Sequence, residues 1–247
     1  MEKIRGVRIQ RRAFLGAAVA GLALGALPYA ARTANGADAS LKIGTVGSGR
    51  IGSTLGEIWL KAGHEVMFSS LDLEQDKALA ARLGGKARAG TSKEAAAFGE
   101  VLLIAVPYSA LPQIGRDLAG LLKGKVVIDT CNPIPSRDGE IATKAREKGA
   151  GLASAELLPG ARLVRAFNAV GYSTMRSAGQ RKGERMGMPI ASDDSGAIAV
   201  ASRLVREVGY EPVLVGPLAM GKYLMPGTPL SGERTPEEIR RIVATLK

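Results

Sequence analysis

Leu41-Lys42-Ile43-Gly44-Thr45-Val46-Gly47-Ser48-Gly49-Arg50-Ile51-Gly52 is a short apolar run that ends in a G-x-G-x-x-G turn and passes straight into an amphipathic segment, 51–62. The order is strand, glycine turn, helix. Each glycine has its own task in such a turn. Gly47 permits the tight bend off the strand, and Gly52 lets the helix lie close on the sheet. Gly49 has no Cβ, so backbone N–H groups can approach a diphosphate. The helix N-terminus then offers oriented N–H groups and the positive end of its dipole to the anion. A plain glycine-rich turn is the alternative in a chain with 32 glycines. A second strand pattern, His64-Glu65-Val66-Met67-Phe68-Ser69-Ser70, follows the helix and favours nucleotide binding, with Ser48, Arg50 and Ile51 completing the phosphate loop.

Outward from this unit, strand-like runs at 42–46, 66–70, 101–106, 126–130, 163–168, 189–192 and 212–215 alternate with helical patterns at 51–62, 73–83, 108–122, 140–148, 195–208 and 236–246. Such alternation predicts an α/β fold, a doubly wound, mainly parallel sheet covered on both faces. Ligands of such sheets gather at the carboxyl ends of the strands, beside strand one. That rule collects Gly47 to Gly52, Ser69-Ser70, Pro107-Tyr108, Thr130-Cys131-Asn132-Pro133 and Asn168-Ala169-Val170-Gly171, which are expected to share one crevice.

The chain of 247 residues has room for one domain of about 200 residues and a leader. Of the net charge of +11, residues 1–39 hold six Lys or Arg against two Asp or Glu. The remaining excess is scattered and shows no basic cluster interleaved with aromatics, which argues against nucleic acid. One cysteine, Cys131, makes an internal disulfide impossible. Gln10-Arg11-Arg12-Ala13-Phe14-Leu15-Gly16 opens an apolar stretch, 13–31, that closes in Ala37-Asp38-Ala39. The segment resembles a twin-arginine (Tat) signal peptide, cut before Ser40, and the alternative is an uncleaved membrane anchor. The division expected is a leader over 1–39 and a Rossmann-like domain over 40–247. The Tat translocase would be a partner during export, and the location periplasmic, or membrane-anchored if the leader is retained.

An NAD site usually ends strand two in a carboxylate that binds the ribose 2′-OH. Here Ser69-Ser70 stand in that place, two hydroxyls that can donate to a 2′-phosphate, with Arg50 as a further cation near that ribose, so NADP is favoured over NAD. Asp72 is the acid available if the strand runs longer. Acid/base chemistry is sparse. The only histidine, His64, precedes strand two and so lies at the opposite edge from the nucleotide, as a surface or turn residue. One His and one Cys cannot make a typical metal site. Tyr108, Tyr172 and Lys222 are the remaining proton donors, and no catalytic residue is assigned. A hydride passed directly to another ring needs mainly stacking and orientation.

Lys42-Ile43-Gly44 with Gly47 to Gly52, Gly63-His64-Glu65-Val66 with Ser69-Ser70, Ala105-Val106-Pro107, Val127-Ile128-Asp129 with Asn132-Pro133, and Val164-Arg165-Ala166-Phe167-Asn168 together resemble the NADP oxidoreductases dependent on coenzyme F-420. The cytosolic domains of transmembrane ferric reductases are similar. The resemblance implies a Rossmann-like sheet that binds NADP(H), with a deazaflavin or flavin stacked on the nicotinamide as the small-molecule acceptor. It implies that Gly47 to Gly52 hold the pyrophosphate and Ser69-Ser70 the 2′-phosphate. Val106-Pro107 would border the adenosine ribose and nicotinamide side, and Asn132-Pro133 and Ala169 would lie near the nicotinamide. Members often carry Arg after the two serines, where this chain has Leu71. The segment 222–230, rich in proline and glycine, is expected to be a loop over the site or an interface, as in a homodimer. A non-catalytic exported NAD(P)-binding protein is the first alternative. Imine or 3-hydroxyacid reductases are the second, disfavoured because few residues remain for their long helical domain.

Overall fold

A computed structural model of the chain describes residues 39–246, so the leader expected over 1–39 lies outside the described residues apart from Ala39. The first half runs β1 (Lys42–Val46), α1 (Arg50–Lys61), β2 (Glu65–Ser69), α2 (Leu73–Leu83), β3 (Ala87–Ala89), α3 (Ser92–Phe98), β4 (Val101–Ile104), a 3-10 turn (Tyr108–Ala110), α4 (Leu111–Leu122) and β5 (Val126–Asp129). Three helices follow, α5 (Pro135–Asp138), α6 (Glu140–Lys148) and α7 (Ala150–Leu157), before β6 (Arg162–Arg165). The remainder is α8 (Tyr172–Ala178), β7 (Gly187–Ala191), α9 (Ser195–Val208), β8 (Glu211–Gly216), a 3-10 segment (Leu218–Tyr223) and α10 (Pro236–Thr245).

One sheet holds eight strands in the order β3-β2-β1-β4-β5-β6-β7-β8. The first six are parallel, and the chain order reverses direction between β1 and β4, which is the switch point that opens a crevice above β1. β7 pairs antiparallel with β6, and β8 runs parallel to β7. Burial on both faces explains why β4 (Val-Leu-Leu-Ile) and β5 (Val-Val-Ile-Asp) are continuous buried runs. Val101 and Leu103 pack with Leu55 and Trp59 of α1 and Leu204 of α9, whereas Leu102 and Ile104 pack with Leu111 and Leu118 of α4. Trp59 sits at the centre of the first layer. Its indole N–H donates to the Leu204 carbonyl at 3.1 Å, and its ring meets Phe167 edge to face at 6.1 Å.

The seam between β6 and β7 is narrow, with the single register pair Arg165↔Ala191. Side chains reinforce it. Arg162 forks onto both carboxylate oxygens of Asp194 at 2.8 and 2.7 Å, and the Ser192 hydroxyl donates to the Leu163 carbonyl at 2.6 Å. Asp194 also caps α9 through the Ala197 N–H. The Arg162 fork first, and then that N–H, hold the Asp194 carboxyl well below the usual carboxylate range.

Several elements depart from the expected pattern. β3 and α3 fill the stretch 84–100, where no element was expected, because β3 is a three-residue edge strand and α3 is only seven residues long. α7 packs against α4, α6 and the 218–223 segment, and its outward positions, Leu152 and Glu156, are one apolar and one acidic, so it shows no continuous polar face. His64 lies in the turn before β2, as expected, yet it is buried and not a surface residue. Its Nδ1 accepts the Leu41 N–H at 2.9 Å and its Nε2 bonds Glu207 of α9 at 2.8 Å, so it ties the start of β1 to a helix far along the chain. No helix among the described residues is long and apolar enough to cross a membrane.

Candidate functional site

The turn between β1 and α1 has the geometry its glycines suggest. Gly47 adopts φ +97°, a left-handed value that favours glycine, and a Cβ there would strike the Ala105 carbonyl. A Cβ on Gly52 would run into the Gly47 carbonyl oxygen, so only a glycine lets α1 sit this close to the turn. Gly49 is different, for a Cβ there would meet no atom within 4 Å. It is the N-cap of α1, and no side chain caps this helix, whereas Asp72 and Thr91 cap α2 and α3. The first-turn N–H groups of Arg50, Ile51 and Gly52 are thus left for an outside acceptor.

A cleft of about 710 Å³ opens beside the turn. Val46 to Gly49 form its floor, Ser70 to Asp72 and Gln75 one wall, and Val106, Pro107, Ser109 and Ala110 the other. Ser92 and Lys93 at the start of α3 close its end. A second cavity of about 420 Å³ lies past β4 at the ends of β5 and β6, lined by Asn132, Asn168, Ala169, Gly171, Pro226 and Glu233 among others. The five strand-end groups therefore face two depressions along one sheet edge, not a single crevice. Pro226 and the residues just after the 222–230 segment wall the second cavity, where Gly232 N–H donates to the Ala169 carbonyl at 2.8 Å and Glu233 pairs with Arg181.

Five expected roles change. Ser69 does not reach the cleft: it is buried, and its hydroxyl donates to the Thr45 carbonyl at 2.8 Å. Ser70 lines the cleft but donates to Asp76 at 2.8 Å, and the same buried carboxylate accepts from Ser48 of the phosphate loop. Asp76 thereby clasps the loop to the end of β2. Arg50 turns away from β2, its guanidinium lying over the Tyr172 ring at 5.4 Å on the side of the second cavity. Pro133 is buried and lines neither cavity. Asp72 serves as the α2 cap, accepting the Gln75 N–H at 3.0 Å.

Beneath the second cavity lies a buried ion pair. Arg165 and Asp129 are both fully enclosed, with Nη1 of Arg165 at 2.5 Å from Oδ2 of Asp129. The guanidinium also donates to the Cys131 carbonyl at 3.1 Å and to Oδ1 of Asn132 at 3.4 Å. Cys131 is buried, and burial, helped by the Asp129 charge, pushes its thiol well above the ordinary value, so it holds its proton. Tyr108 is enclosed too, its hydroxyl 3.3 Å from Ser154, and burial raises its pKa to about 12. Neither is poised for proton transfer at neutral pH.

Asp76, Ser92 and Lys93 carried no assigned role in the sequence, whereas Asn168 stood among the strand-end residues expected at the ligand crevice. Asp76 meets Ser48 across 28 positions, a contact that no local pattern announces.

Residues 42–133 match the family model described as NADP oxidoreductase, coenzyme F420-dependent. The solved structure of hypothetical protein SMa0349 from Sinorhizobium meliloti superposes with a TM-score of 0.66 at 24% identity, covering 80% of this chain and 96% of its own. An Arthrobacter sp. FB24 protein provisionally named an F420-dependent NADP reductase gives 0.62 at 22%, over 74% and 88%. The Mycobacterium tuberculosis 3-hydroxyisobutyrate dehydrogenase gives 0.54 at 18%, with 74% of this chain on 57% of that one. The chain thus has the Rossmann-like fold of NAD(P)-binding oxidoreductases, and from β1 to Pro133 its sequence is similar to the F420-dependent NADP oxidoreductases.

Proposed function

We propose that this chain is an NADP(H)-dependent oxidoreductase that moves a hydride between nicotinamide and a flat ring acceptor of the deazaflavin or flavin kind. The observation that carries this reading is the uncapped start of α1, facing open space at Gly49. Its N–H groups are placed to take a diphosphate, and the cleft and the cavity have volumes usual for ligand sites. A dinucleotide fits this arrangement. Ser70, Ser92 and Lys93 would receive the 2′-phosphate end, Val106 and Pro107 would wall the adenosine side, and Asn132 and Ala169 would border the nicotinamide. When bound, the nicotinamide supplies hydride transfer chemistry. The chain binds, orients and excludes water. Of the residues around the second cavity only Glu233 is acidic or basic, and it is paired with Arg181, which suits transfer between rings better than carbonyl reduction. The leader over 1–39 would carry the folded, loaded protein through the Tat translocase to the periplasm.

Purified protein mixed with NADPH and, in turn, a deazaflavin, FMN and a ferric chelate tests the reading. Loss of reduced-nicotinamide absorbance with one of them is expected. Tight NADPH binding with no oxidation by any acceptor would overturn the enzyme in favour of the non-catalytic binder.

The 2′-phosphate has one cation to meet among the residues lining the cleft, Lys93, which is exposed. Ser69 gives its one hydroxyl proton to the Thr45 carbonyl, so the Ser92 hydroxyl, 3.5 Å away, receives nothing from it and keeps its own proton to donate. Lys93→Ala should weaken NADPH roughly tenfold, the value of a hydrogen bond to a charged group, while leaving NADH nearly unchanged. Equal losses for the two nucleotides would place the 2′-phosphate elsewhere.

A further inference from the structure

Asp76 stands in the first turn of α2, fully enclosed, and among the described residues no Lys or Arg pairs with it. A buried carboxylate without a cation has to be compensated in another way, and here the α2 dipole and two hydroxyls do so. Ser70 Oγ lies 2.8 Å from Oδ2, and Ser48 Oγ is bonded to Oδ1. A carboxylate only accepts, so each serine gives it its one proton.

The consequence falls on Ser70. Its oxygen has two lone pairs, and the Asp72 N–H, at 3.1 Å, takes one of them. The Asp72 carbonyl competes for the Ser70 proton from 3.2 Å, but it is uncharged and farther away than the Asp76 carboxylate. Ser70 is half-buried and lines the cleft, so a ligand that reaches its hydroxyl meets one lone pair and no proton. That polarity is wrong for a phosphate dianion, which only accepts, and right for a ribose hydroxyl, which donates. The charges around it agree. The cleft lining sets the carboxylates of Asp72 and Asp117 against the single cation Lys93, and position 71 holds an exposed leucine.

We infer that Asp76 determines nucleotide specificity through Ser70: it supplies the ribose-hydroxyl acceptor that an NAD site takes from a carboxylate at the end of strand two, so the cleft takes NADH as well as NADPH. Asp76 is a positioning residue, since it is enclosed and Ser70 is the group that lines the cleft. The inference rests on the dinucleotide reading above. Within it Ser70 meets the adenosine ribose, and the 2′-phosphate of NADPH falls to Ser92 and Lys93.

Calorimetric titration of NADH and NADPH into the wild type, Asp76→Asn and Ser70→Ala tests it. The wild type should bind NADH no more than about tenfold more weakly than NADPH, the value of the one charged contact at Lys93. Asp76→Asn keeps the shape, removes the charge, and brings an amide that can donate to Ser70 and so release the serine proton to a 2′-phosphate. The ratio of NADPH to NADH affinity should then rise by about tenfold, again the size of a hydrogen bond to a charged group. Ser70→Ala deletes an acceptor, so it should weaken NADH at least as much as NADPH. A merely structural Asp76 would change both affinities together and leave their ratio alone. A larger preference for NADPH in the wild type, an unmoved or lowered ratio in Asp76→Asn, or a Ser70→Ala loss that is absent or confined to NADPH overturns the inference and leaves the dinucleotide reading standing. Failure of the wild type to bind either nucleotide overturns both. Should Asp76→Asn not fold, Ser70→Ala and the wild-type ratio decide.

Discussion

Gly49→Asp should abolish dinucleotide binding while leaving the fold intact or slightly more stable. A Cβ at this position meets no atom within 4 Å, so the branch point of a side chain is admitted without any neighbour moving. Gly49 is also the N-cap of α1, where an aspartate is among the best residues. Its carboxylate would accept the first-turn N–H groups itself and occupy the donors that a diphosphate needs. It would also set a negative charge beside the phosphates, worth about 4 kcal/mol per charge pair at 4 Å near a protein surface, or roughly a thousandfold in affinity. Calorimetry with NADPH and a thermal melt read the two effects separately. Retained affinity, with an unchanged melt, would sink the assignment of this turn to the diphosphate. Gly49→Ala is the control, since a methyl group adds neither charge nor acceptor and should cost little.

The largest stability loss is expected from Arg165→Met. The substitution removes the only charged partner that Asp129 has among the described residues and leaves a carboxylate fully enclosed, sustained by the Cys131 N–H at 2.8 Å. Breaking a buried pair from one side typically costs about 3–5 kcal/mol, because the remaining charge has lost its compensation. Replacing both partners, as in Arg165→Met with Asp129→Leu, should recover much of the loss, since a well-packed apolar pair of similar volume is often neutral. Equilibrium denaturation in urea measures both variants. A single variant within 1 kcal/mol of the wild type would mean that the pair does not hold the region together. The double variant has a second use. It should fold yet still misorient Asn132, whose oxygen is turned by the guanidinium, so stability and shape of the second cavity can be separated.

Much of this arrangement was legible in the residue order, and the parts that were not share a cause. The glycine turn, α2 at 73–83, α6 at 140–148 and α9 at 195–208 each carry their period within a few residues, and the structure places them there. β4 and β5 end somewhat earlier than their apolar runs suggest, because Ala105 and Thr130 already belong to the loops above the sheet. β3 and α3 were silent. Their residues are mostly alanine, and they are ordered by pairing with β2 and packing on β1, not by an apolar period long enough to count. α7 was hidden because its exposed positions include an apolar residue, Leu152, beside Glu156, so no polar stripe marks its outer face.

The serine pair marks the boundary. Two adjacent hydroxyls look alike in a sequence, but a strand sends neighbouring side chains to opposite faces, so Ser69 turns inward to Thr45 and only Ser70 meets the cleft. Burial of His64 against Glu207, the clasp of Asp76 on Ser48, and the turn of Arg50 onto Tyr172 likewise depend on partners brought from elsewhere in the chain. By itself, the sequence determined the α/β alternation, the phosphate turn and the end of the sheet where a ligand belongs, because these depend on periods and glycines a few positions apart. Tertiary structure alone decided which hydroxyls are taken by other groups and that the sheet edge carries two depressions. Those outcomes are set by contacts between residues tens of positions apart, and hydrophobic patterning constrains which side of an element is buried without specifying which polar group it will meet there.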